Sequence, residues 1–150
     1  MAAPSASEVL ASSPVDVQEA LADLMEISSQ VEAAVVLDES GAPLGSTLPD
    51  EGRAAELARA GAALLEVAAR VRPSAPPPVQ VDAATRAGSV FVVREAGRTI
   101  AATTAPAPTV GLVFYDLKTC LRALAANDGA AKAKPRQRRK RDGGDADAAA

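Results

Sequence analysis

Residues 88–104, GSVFVVREAGRTIAATT, carry the strongest hydrophobic pattern in the chain. Val90, Phe91, Val92 and Val93 are apolar on consecutive positions. Successive strand side chains point to opposite faces, so this run predicts a strand covered on both sides. Arg94-Glu95-Ala96-Gly97-Arg98 interrupts it with charge and with a glycine able to take positive φ, as a tight reversal requires. Thr99 to Thr104 returns with β-branched Thr99, Ile100, Thr103 and Thr104, and Ala101 and Ala102 leave room for close neighbours. The stretch predicts an internal hairpin with helices on both sides of its sheet, and with Arg94 and Arg98 as the exposed arginines of its turn.

The rest of the chain supplies three helices. Ser13-Pro14-Val15-Asp16 reads as a helix start, with a serine cap, proline at the first position and an early acid. Val17, Leu21, Leu24, Ile27 and Val31 then form one apolar stripe of a helix ending near Ser29. From Val31 the period becomes two: Val31, Ala33, Val35 and Leu37 face one way, Ala34 and Val36 the other. Asp38-Glu39-Ser40-Gly41 turns into a weaker strand over Ala42 to Leu48, whose Pro43 and Gly45 suit a sheet edge. Pro49-Asp50-Glu51 opens a second helix running to about Val71, in which Leu57, Leu64 and Leu65 can face the sheet. Its Ala54, Ala58, Gly61, Ala62 and Ala69 predict a small-residue surface where a second helix can approach. Glu66 and Arg70 make an ordinary solvent-side pair.

Pro73, Pro76, Pro77 and Pro78 forbid helix and predict a stiff extended connector. Val79-Gln80-Val81-Asp82-Ala83 alternates as a third strand, with polar Gln80 and Asp82 on one side as at an edge. Thr109 opens a last helix with a stripe of Leu112, Val113, Leu117, Leu121 and Leu124, stopping at Asn127-Asp128-Gly129. Residues 1–12 and 129–150 are too poor in apolar side chains to join a core and are expected to be disordered, leaving a domain over 13–128.

Composition removes most chemistry. The chain has no histidine, and so lacks the commonest general base and zinc ligand. Its single cysteine, Cys120, falls in the core-facing half of the last helix and reads as a buried structural thiol. Gly41 to Thr47 ends in Gly-Ser-Thr but lacks the lysine and glycine spacing of a phosphate loop. The aromatic residues are Phe91, Phe114 and Tyr115, too few for stacking platforms. No catalytic residue, cofactor or metal is expected. No apolar run is long enough to span a membrane and no secretory leader is visible, which places the expectation in the cytoplasm.

Charge divides the chain. Residues 1–131 hold 9 basic and 16 acidic side chains, a net −7, whereas 132–150 hold 7 basic and 3 acidic, a net +4. Lys132, Lys134, Arg136, Arg138, Arg139, Lys140 and Arg141 form a cationic run suited to nucleic acid or another polyanion.

The chain resembles the roadblock / dynein light chain domain family over roughly Val15 to Ala126. The resemblance rests on the opening helix, on AAVVLDESGAPLGST, on the small-residue second helix, and on TVGLVFYDLKTCLRAL with Gly111-Leu112 ahead of an amphipathic helix. Ser29-Gln30 stands where the family often has a glycine, and the four-proline connector is unusual. The resemblance implies an α+β, three-layer roadblock (profilin-like) fold: a five-stranded antiparallel sheet in the order 2-1-5-4-3, helix two on one face, helices one and three on the other. It also implies a homodimer in which third strands and second helices meet, here through Ala54, Ala58, Gly61, Ala62, Val79, Gln80, Val81 and Asp82. The function it implies is that of a non-catalytic platform for a small Ras-like GTPase. A polyanion-associated accessory protein working through the basic tail is the alternative.

Overall fold

A computed structural model describes residues 14–128. The expectations for residues 1–12 and for the tail lie outside the described residues. Helix α1 (Pro14–Ile27) is followed by strands β1 (Val31–Leu37) and β2 (Pro43–Ser46), helix α2 (Glu51–Val71), strands β3 (Gln80–Thr85), β4 (Gly88–Glu95) and β5 (Arg98–Thr104). A helix over 110–128, α3, completes the order. The strands form one antiparallel sheet in the order β2-β1-β5-β4-β3.

The run of apolar positions in the central strands covers two cores. Ala34, Val36, Phe91, Val93, Ile100 and Ala102 meet Val17, Leu21 and Leu24 of α1 and Val113, Leu117, Leu121 and Leu124 of α3. Val35, Leu37, Val92 and Ala101 point the other way, onto Leu57, Ala58 and Leu65 of α2. Phe91 and Phe114 contact edge to face at 5.0 Å, a geometry worth roughly 0.5–1.5 kcal/mol beyond burial. Among the described residues the fold is therefore three-layered, with α2 alone on one face of the sheet. Asp50 caps α2 by accepting from the Gly52 amide at 2.8 Å.

Four expectations change in detail. Val31 belongs with Ala34 and Val36, because the register shifts between Val31 and Ala33 and turns it to the other face. Ile27 is 69 % exposed and leaves the α1 stripe: Ser28 is the buried residue there, and its hydroxyl accepts from the amides of Gln30 and Val31 as β1 begins. Leu112 is 49 % exposed, since the buried stripe of α3 runs through Val113, Phe114, Leu117, Cys120, Leu121 and Leu124. Arg98 is buried, not exposed at the turn, and its guanidinium pairs with the Asp128 carboxylate of α3. Arg94 remains exposed as expected.

The β4–β5 turn consists of Ala96 and Gly97 at φ 57° and 78°, the two positive values a tight two-residue hairpin needs. Alongside it, Arg122 of α3 pairs with Glu95.

Candidate interaction surface

The two edges of the sheet are built differently. β2 is four residues long, contains Pro43 and Gly45, and lies under α1 so closely that a Cβ at Gly45 would meet Val17 Cγ1 at 2.6 Å. That edge is short, interrupted by proline and glycine, and its outward Ser46 carbonyl accepts from the Gln18 side-chain amide at 3.4 Å. β3 has six residues without proline or glycine and pairs with β4 along its whole length. Among the described residues nothing pairs with its outer side.

The register tells which groups are open. Arg94 donates its amide to the Val79 carbonyl at 2.8 Å, and Gln80 stands opposite Val93. In an antiparallel ladder the residues that exchange hydrogen bonds alternate, so Val81 and Ala83 bond to β4. The backbone groups of Gln80, Asp82 and Ala84 consequently point away from the sheet. Val81 is half-buried under α2, Gln80 and Asp82 are exposed, and Val79 is 58 % exposed.

Beside this edge, α2 and the proline connector enclose a groove of about 640 Å³, lined among others by Arg59, Ala62, Ala63, Pro77, Pro78 and Arg94. The connector reaches it through a turn in which the Ala75 amide donates to the Arg72 carbonyl. Glu66, also on its wall, pairs with Arg70 at 3.5 Å across exposed helix surface.

The small residues of α2 do not all belong to this surface. Ala54, Ala58 and Gly61 are buried against the chain's own sheet. A Cβ on Gly61 would lie 2.8 Å from the Ala101 Cβ, so these three residues let helix and sheet approach within one chain and are not open to a second helix. Ala62 is exposed and lines the groove. Of the eight predicted contact residues, Ala62, Val79, Gln80, Val81 and Asp82 thus share one side of the molecule. Lys132, Lys134, Arg136, Arg138, Arg139, Lys140 and Arg141 lie outside the described residues.

Among the described residues no group of three His, Cys, Asp or Glu could hold a metal. Cys120 lies on the opposite face of the sheet, where burial first and the Asp23 charge second push its thiol up to about 11, far from a reactive thiolate. No described helix is long and apolar enough to cross a membrane.

No protein-family model and no curated protein matches the sequence. Solved structures do match the fold. A Roadblock/LC7 domain from Streptomyces avermitilis superposes with a TM-score of 0.62 at 15% identity, covering 71% of this chain and 92% of that one. Myxococcus xanthus MglB gives 0.62 at 13% identity, over 79% and 91% of the two chains. An MglB in a tetrameric arrangement gives 0.58 at 16% identity, over 77% and 89%. The chain therefore has the roadblock/LC7 fold, as the resemblance of its sequence implied.

Proposed function

We propose that this roadblock fold serves as a non-catalytic, homodimeric interaction module that regulates or scaffolds a small Ras-like GTPase. The observation that carries the reading is the edge of β3, a six-residue strand whose outward backbone groups meet no partner among the described residues, on a sheet whose other edge is short and interrupted by proline and glycine. A second copy satisfies it by adding its own β3 across a two-fold axis, an isologous contact that joins two sheets into one. Ala62 and the neighbouring groove wall then lie beside the axis. Of the solved neighbours, one MglB is described in a tetrameric arrangement, which supports self-association for this fold.

Light scattering tests the first half. The chain is expected to weigh as a dimer at high micromolar concentration, with an interface of about 1,600 Å² in total. Asp82→Pro removes an outward-pointing N–H while leaving the β4 ladder intact, so it is expected to give a folded monomer. A monomeric parent chain, or a dimer unaffected by this change, would remove the strand-pairing interface.

The GTPase half rests on the family resemblance. A platform without catalytic side chains influences a GTPase by binding one of its nucleotide states better than the other. The expected result is tighter binding of a co-encoded small GTPase in either its GTP-analogue or its GDP form, with no nucleotide hydrolysis by the dimer alone. Equal affinity for both states would leave a structural adaptor, and no affinity would leave the module without this partner.

A further inference from the structure

We propose that the groove between α2 and the proline connector is a binding site for an extended acidic segment of a partner protein, whose carboxylates meet Arg59 and Arg94. The two arginines line the groove from different elements, Arg59 from α2 and Arg94 from β4. The Arg94 amide bonds to the Val79 carbonyl, which fixes this residue beside the connector. The remaining wall is largely apolar, with Ala62, Ala63, Pro77 and Pro78. Their rings fix φ at the two prolines, so this wall is stiff and does not need a ligand to take its shape. At about 640 Å³ the groove has the size of a ligand site, and its make-up is that of one in which apolar side chains give contact and a few charged groups give orientation.

The charge of the groove is the reverse of the molecule's. Residues 1–131 carry a net −7, and α1, on the opposite face of the sheet, holds Asp16, Glu19, Asp23 and Glu26 without a lysine or arginine. Among the described residues no hydrogen bond or ion pair reaches the guanidinium of Arg59 or Arg94. Glu66, the one acid lining the groove among the described residues, is already met by Arg70. Arg59, Arg70 and Arg94 against Glu66 leave a local balance of +2. A single solvated arginine on a surface is ordinary. Two on one concavity with apolar walls match a ligand that carries carboxylates and apolar groups together, and a guanidinium can hold each carboxylate through two parallel hydrogen bonds. An extended segment that alternates acidic and apolar residues presents the two kinds along opposite edges.

A second copy suits the groove less well. Antiparallel pairing of two β3 edges keeps both α2 helices on one face of the joined sheet, so the second copy brings its own Arg59 and Arg94 to that face. The positive field is thereby enlarged and not neutralised. The inference rests on the reading of the chain as an interaction module, and it adds the chemistry of what the module holds.

A fluorescein-labelled eight-residue peptide alternating glutamate and leucine tests this on the full chain. Saturable binding is expected, with amide shift changes gathered at Ala62, Ala63 and Arg94. Arg59→Gln and Arg94→Gln, both at exposed positions, are each expected to weaken it by up to about fivefold, the ceiling for one exposed ion pair. The double reversal Arg59→Glu, Arg94→Glu is expected to reject this peptide and to bind the one with lysine in place of glutamate. Equal binding of a glutamine–leucine peptide by the parent chain, shift changes away from the groove, or unchanged preference in the double reversal would overturn the proposal. So would binding confined to the Asp82→Pro variant, because a second copy then fills the groove in the parent. No GTPase is present, so a failure here is separate from the outcomes of the strand-pairing and nucleotide-state experiments.

Discussion

At Gly61 the space for a methyl group is missing: its built Cβ lies 2.8 Å from Ala101 and 3.6 Å from a Val92 methyl. Gly61→Leu is expected to destabilise the monomer by about 1–3 kcal/mol through overpacking, with better helix propensity returning up to about 1 kcal/mol. Ala101→Gly should relieve part of the strain, so a double-mutant cycle read by urea unfolding is expected to show coupling between the two sites. Asp38 offers a titratable counterpart. Its Oδ1 accepts from the Ser40 hydroxyl at 2.7 Å, the Ser40 amide at 2.8 Å and the Ala42 amide at 3.0 Å. The Ser40 hydroxyl first, then the amides, hold its carboxyl below the ordinary value. A folded pKa below the unfolded one means the stabilisation is complete above about pH 4 and is lost as pH falls through the folded value. Asp38→Asn is therefore expected to lower stability at neutral pH and to flatten the acid limb of the stability profile, measured by urea titrations across pH.

At the scale of elements, the outward backbone groups of Gln80, Asp82 and Ala84 restrict how two copies of β3 can pair. A two-fold centred on Asp82 places two carboxylates opposite each other, which is unfavourable; one centred on Val81 places Gln80 opposite Asp82. Gln80→Lys is expected to tighten the dimer in the second register, by roughly 0.2–1 kcal/mol for each of its two symmetry-related pairs, and to leave affinity unchanged in the first. Sedimentation of a dilution series distinguishes them. The same strand shows what alternation reveals and what it hides. Polar Gln80 and Asp82 beside half-buried Val81 identified an edge from sequence, and four apolar residues over Val90–Val93 identified a buried centre. The bulge that reverses Val31 is marked in side-chain type only by exposed Glu32; from Ala33 on both faces of β1 are apolar, so alternation does not tell which face Val31 takes. The role of Gly61 was equally hidden: a small residue announces close approach but not its partner, and here the partner is the sheet beneath. Arg98 looked exposed because turn arginines usually are, whereas its partner Asp128 stands 30 positions away on another helix.

For the whole molecule, the charge division of the chain has a consequence for partners. A domain of net −7 over residues 1–131 attracts basic surfaces, and the cationic run beyond it competes for the same contacts. The unequal sheet edges have another. A protein with two open edges can recruit copies on both sides and grow a ribbon without end. With β2 four residues long, interrupted by Pro43 and Gly45 and engaged at its Ser46 carbonyl by Gln18, each copy offers one long edge, and strand pairing is spent once two copies have met. Any larger assembly of this chain must be assembled from pairs through some other face, so its stoichiometry should rise in even numbers.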